Sequence, residues 1–182
     1  MPDRDCPQPG RRRFLSAAGA LCASLGFASI ASASQSRRTL AFAHTHTDER
    51  LAVTYWRDGG YASEALTAIN RLLRDFRTNE VHPVAPGLLD YLYQVQYVLD
   101  REEPFEVISG FRSATTNDML QRRTSGVATW SLHMEGRAID VRIPGVTTAR
   151  LREAALRLRL GGVGYYPSSG FVHLDTGRVR QW

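Results

Sequence analysis

Apolar residues recur at two different spacings along this chain, and the change from one to the other separates its helices from its strands. Leu66, Ile69, Leu72, Leu73 and Phe76 return every three or four positions, which predicts a helix from Ser63, as a capping residue, to about Arg77. Leu88, Leu89, Leu92, Val95 and Leu99 repeat the pattern after Pro86-Gly87. Leu151, Ala155 and Leu158 form a third stripe, beginning at Thr147 or Thr148 and stopping at Gly161-Gly162. Elsewhere the period drops to two. Residues 39–43 and 51–55 predict strands on either side of a turn, and Phe105–Ser109 predicts another. Over residues 138–143, Ile139, Val141 and Ile143 take one face and Asp140 and Arg142 the other. A hairpin closes the pattern, with one strand at 163–166, a turn at 167–170 and a second strand at 171–175 that sets Val172 and Leu174 against His173 and Asp175. The sum is a single α+β domain, with a small, mainly antiparallel sheet towards the end, flanked by helices.

The first 33 residues follow no such pattern. Arg11-Arg12-Arg13-Phe14-Leu15 precedes a moderately apolar stretch over 17–30 and then Ala31-Ser32-Ala33, which reads as a twin-arginine export signal with cleavage after Ala33. That leaves residues 34–182 as the working domain, exported to the periplasm and without a transmembrane segment. Cys6 and Cys22 both fall in the signal, so the mature chain has no disulfide and no cysteine nucleophile. Lysine is absent, and the formal charge is +5. Four of the 23 basic and two of the 18 acidic residues lie in the signal, leaving +3, which is ordinary for a soluble domain. Nothing in the basic and aromatic residues points to nucleic acid.

Candidate chemistry gathers in the strands. His133 stands shortly before Asp140 and His173 shares a strand face with Asp175, so a metal ion could bridge the two strands, held by His133, Asp140 and His173. Two imidazoles and a carboxylate suit a catalytic zinc ion that keeps one position open for water. The two-histidine helical pair of His-Glu-x-x-His proteases is absent. His44, His46 and His82 have no partner motif and read as ordinary polar residues.

Several motifs together resemble a known family. Ser131-x-His133-x-x-Gly136-x-Ala138-x-Asp140 followed by Val172-His173-x-Asp175 resembles the LAS zinc metallopeptidases, a group that spans lysostaphin-type enzymes, D-alanyl-D-alanine peptidases and the hedgehog domain. Residues 108–113 (Ile-Ser-Gly-Phe-Arg-Ser) with Thr116-Asn117, residues 161–167 and the closing residues 177–182 are similar to MepK-type murein endopeptidases. The resemblance implies one zinc ion on His133, Asp140 and His173, with Arg112 beside it to stabilise an oxyanion or hold a carboxylate. It implies hydrolysis of peptide cross-links in peptidoglycan stem peptides, by analogy the L,D bond between two diaminopimelate residues, by a protein expected to be a monomer. In the dipeptidase branch a glutamate three residues before the second histidine is the general base, and here that position is Gly170. The base is therefore open. Asp175 is the first candidate, equally suited to orienting an imidazole, and Glu135 and Asp118 are others. A carboxypeptidase or dipeptidase on the same material, and a non-catalytic zinc-containing wall-binding domain, are the alternatives. Tyr165, Tyr166 and Trp130 are candidates to line a cleft beside the sheet.

Overall fold

The computed structural model describes residues 37–123 and 128–182. The expected export signal and both cysteines lie outside the described residues. Among these, the strands are β1 (Arg37–His44), β2 (Arg50–Arg57), β3 (Gly60–Tyr61), β4 (Phe105–Ser109), β5 (Ala138–Arg142), β6 (Gly162–Tyr166), β7 (Phe171–Asp175) and β8 (Arg180–Gln181). The helices are α1 (Ser63–Leu72), α2 (Pro86–Leu99), α3 (Ala114–Arg123) and α4 (Thr148–Leu158). The α+β class is as expected, but the sheet is not small. All eight strands join in the order β3-β2-β1-β4-β5-β7-β6-β8. The N-terminal hairpin fuses with the later strands because β1 pairs in parallel with β4, Phe42 opposite Phe105 and His44 opposite Val107. The β6–β8 pair is also parallel, and the other neighbours are antiparallel.

The alternation predicted for the strands is what the core uses. Leu40, Phe42, Phe105, Val107, Ile139, Val141, Val163, Val172 and Leu174 are buried in one cluster with Ile69 and Leu72 of α1, Leu88, Leu89 and Leu92 of α2 and Leu151 of α4. Each large side chain so removed from water contributes about 1.5–3 kcal/mol. The opposite face of β5, β6 and β7 is thereby free to carry polar groups.

Helix limits differ from expectation where tertiary bonds compete for the backbone. Helix α1 stops at Leu72, not near Arg77, because the next residues anchor a different segment. The Leu73 carbonyl accepts from Phe111 N at 2.7 Å, Arg74 Nη1 donates to the Arg71 carbonyl at 2.8 Å, and Asp75 accepts from both the backbone N and the hydroxyl of Ser113. Ser63 is the first residue of α1 and not its cap; Ala62 occupies that position without a side-chain bond. Helix α2 begins on Pro86, whose missing N–H costs nothing in the first turn. For α4, Thr147 is the cap, its hydroxyl accepting from Arg150 N at 3.2 Å. This helix ends on Arg159 in the left-handed region (φ 53°), two residues before the glycine pair.

Candidate metal centre

Asp140 and His173 are cross-strand partners, directly opposite each other in the β5–β7 ladder. Antiparallel partners on one face have closely spaced side chains, so the register alone brings the carboxylate to the imidazole. His133 arrives from outside the sheet, on a single 3-10 turn (Leu132–Glu135) that Ser131 caps by accepting from His133 N. All three side chains are buried.

Their inward atoms form a tight triangle. His173 Nδ1 lies 2.9 Å from Asp140 Oδ1, His133 Nε2 lies 3.3 Å from the same oxygen, and the two nitrogens are 3.2 Å apart. Ligand atoms at about 2.0–2.1 Å from one tetrahedral zinc ion stand roughly 3.3 Å from each other, so this spacing fits such an ion. Each imidazole is also anchored through its other nitrogen. His133 Nδ1 donates to the Gly110 carbonyl at 2.7 Å, which leaves Nε2 with a lone pair facing the centre. His173 Nε2 donates to Asp175 Oδ2 at 3.0 Å, which turns Nδ1 inward.

The three buried groups set one another's charge. Burial opposes the charge on Asp140, yet His133 and His173 hold its carboxyl well below the usual carboxylate range. Burial likewise disfavours a charged His173, but hydrogen bonds to Asp140 and Asp175 outweigh it and lift the imidazolium to about 9. His133, fully enclosed, is pushed down by burial.

Arg112 sits at the rim on the loop after β4, with Nη2 3.7 Å from Asp140 Oδ2. Burial pushes its guanidinium down, opposed by the charges of Asp140 and Asp75 and by Tyr166. Its Nε is buried with no hydrogen-bond partner among the described residues, so the fork retains donor capacity. The loop is rigidly based, since Arg112 N donates to the His133 carbonyl at 3.2 Å and Asp75 grips Ser113.

The sequence-predicted residues divide clearly. His133, Asp140, His173 and Arg112 are brought together. Asp175 lies against the outer edge of the His173 ring, fully buried, with both oxygens occupied: Arg180 Nη2 donates to Oδ2 at 2.8 Å, while Gly177 N at 2.7 Å, Gly162 N at 3.2 Å and Arg180 Nη1 at 3.1 Å donate to Oδ1. Burial opposes its charge, yet His173 and Arg180 keep its carboxyl well below the usual range. Glu135 is engaged by Trp130 Nε1 and Arg137, and Asp118 is exposed on α3; neither belongs to the His–Asp–His group. Gly170 closes the β6–β7 turn at φ +70°, a conformation in which a glutamate would be strained. Of the aromatic candidates, Tyr166 shares the site face, Tyr165 packs on the other face near Arg152, and Trp130 is largely exposed. No pattern in the sequence singles out Arg180 or Trp182; their only signal is the closing motif that contains them.

Residues 32–182 match the family described as peptidoglycan L,D-endopeptidase MepK. The chain belongs to this family. It is 43% identical over 145 residues to the peptidoglycan L,D-endopeptidase MepK of Escherichia coli strain K12, covering 80% of each chain. It is 45% identical over 146 residues to the probable peptidoglycan L,D-endopeptidase MepK of Haemophilus influenzae, covering 80% of this chain and 78% of that protein. The matched span takes in β5, β7 and the 3-10 turn, so the His–Asp–His triangle lies within the MepK family region.

Proposed function

We propose that this chain is a zinc-dependent peptidoglycan L,D-endopeptidase of the periplasm, cutting the bond between two diaminopimelate residues of cross-linked stem peptides. The observation that carries this is the triangle of His133 Nε2, His173 Nδ1 and Asp140 Oδ1, with a spacing suited to one tetrahedral ion. Membership of the MepK family supports the substrate. Export by the twin-arginine route rests on Arg11-Arg12-Arg13 and the apolar stretch behind it. Among the described residues no helix is long and apolar enough to cross a membrane.

His133, Asp140 and His173 would hold the zinc ion, which would supply an acidified water and an electrophile for the carbonyl oxygen. The chain's own residues do the rest. His133 and His173 are kept in the ligating orientation by Gly110 and Asp175. Arg112 stands beside the centre with donors to spare, placed to neutralise the negative charge that develops on the carbonyl oxygen. Gly170 offers no carboxylate, so the proton-accepting group is not at the position that the dipeptidase branch uses.

Purified sacculi incubated with zinc-loaded protein, and in parallel with His133→Ala, test the reading when the released muropeptides are separated by mass. Dimers joined through two diaminopimelates should become monomers with the wild type alone. Shortened stems with intact dimers would mean a carboxypeptidase, and no change with zinc retained would mean a binding domain.

A further inference from the structure

The sheet face that carries Asp140 and His173 continues onto β6. Gly164 pairs with His173 and Tyr166 with Phe171, so alternation puts Tyr166 on the same face, two steps from the ladder position of His173. Its ring stacks on Phe171, with centroids 4.7 Å apart and planes 20° apart. Trp182 Nε1 donates to its hydroxyl at 2.8 Å.

Trp182 is itself held firmly. Tyr165 N donates to its carbonyl at 2.9 Å and its own N donates to the Val163 carbonyl at 3.3 Å. Arg180 lies 4.7 Å over its ring, and the ring stands 5.2 Å from that of His173. Gly164 makes the space, since a Cβ there would fall 2.8 Å from Trp182 Cε2 and 2.9 Å from Tyr166 Cε2. Trp182 is 48% exposed and Tyr166 37%, so these contacts fix a surface at the lip of the centre rather than fill a core.

The direction of the Trp182–Tyr166 bond determines what the hydroxyl can do. An indole N–H only donates, so the Tyr166 oxygen accepts and its own proton is left for another partner. No acceptor among the described residues takes it. We infer that Tyr166 is a catalytic residue whose hydroxyl donates a hydrogen bond to the scissile carbonyl oxygen, with Trp182 as the positioning residue that aims it. This inference rests on the endopeptidase reading. When hydroxide, left after a water has given its proton to bulk solvent, adds to the carbonyl carbon, the π pair moves onto the oxygen, and Tyr166 keeps its proton while its hydrogen bond to that oxygen strengthens. Arg112 and Tyr166 then share the developing charge.

Tyr166→Phe retains the stack on Phe171 and removes only the O–H. On a muropeptide dimer cross-linked through two diaminopimelates, kcat should fall about 100-fold with little change in KM, zinc content or thermal midpoint. Trp182→Phe, which keeps a ring but no N–H, should lower kcat less, and adding it to Tyr166→Phe should cost nothing further, because both act through one hydroxyl. A purely structural Trp182 would instead add its loss to the other. Unchanged kcat in Tyr166→Phe, or a loss confined to KM, overturns the inference. Calorimetric affinity for a phosphinate analogue of the scissile peptide is an independent test: it should weaken at least tenfold in Tyr166→Phe, and equal affinity overturns the role of the hydroxyl. A wild type that leaves every dimer intact sinks the endopeptidase reading, and the phosphinate comparison still decides the fate of Tyr166.

Discussion

Asp175 is the residue whose place in the molecule most changes its expected part in the chemistry. As a strand neighbour of His173 it is an obvious candidate base, yet it sits on the outer edge of that imidazole, with its oxygens taken by His173, Arg180, Gly162 and Gly177. Its geometry suits orientation of the ligand. Asp175→Asn should therefore weaken zinc about 10- to 100-fold in chelator competition, with activity recovering at saturating zinc. Activity absent at full zinc occupancy would return the residue to proton transfer. At this scale the sequence was legible where a ligand sat in an alternating strand: alternation put Asp140 and His173 on polar faces, whereas joining them with His133, which stands on a 3-10 turn, took the family resemblance as well. Arg180 was illegible because it meets Asp175 only once a two-residue strand has docked beside β6.

Elements were legible in proportion to the apolar pattern that specifies them. Helices α2 and α4 and strands β4 to β7 follow their stripes closely, whereas α3 has only Met119 and Leu120 as large apolar residues and offers no stripe. It is set by side-chain bonds instead: Ser113 Oγ accepts from Thr116 N, and buried Asn117 donates to the Ala128 and Thr129 carbonyls. The early end of α1 was hidden for a related reason, since Phe76 continues its stripe in sequence but stacks on His46 in space. Where a stripe does decide, truncation should be costly. Leu151 of α4 is fully buried, and Leu151→Ala should lower stability by about 2–5 kcal/mol in denaturant unfolding of the metal-free protein. A loss well below that range would mean that α4 can settle onto the sheet without it.

For the molecule as a whole, acid should be a hazard at more than one place, since His133 of the metal centre and His44 outside it are both pushed down by burial. His44, the last residue of β1, is buried against Phe76 and pushed down to about 4 by that burial, with neighbouring His46 and Arg74 adding to the effect. Its folded pKa lies below its unfolded one, so the unfolded chain takes up the proton first. Stability from this residue is complete above the unfolded value of 6.5 and is lost as pH falls towards 4, by up to about 3 kcal/mol. Denaturant midpoints across that window should fall more steeply in the wild type than in His44→Gln; parallel slopes would remove His44 from the account.

The two faces of β5 and β7 answer to different demands one residue apart. Ile139 and Val141 belong to folding and Asp140 between them to chemistry; Val172 and Leu174 flank His173 in the same way. Point changes in these strands can therefore drift on one face without touching the other, while losing or gaining a single residue exchanges the faces and forfeits both. Length, more than composition, is what this pair of strands has least freedom to vary.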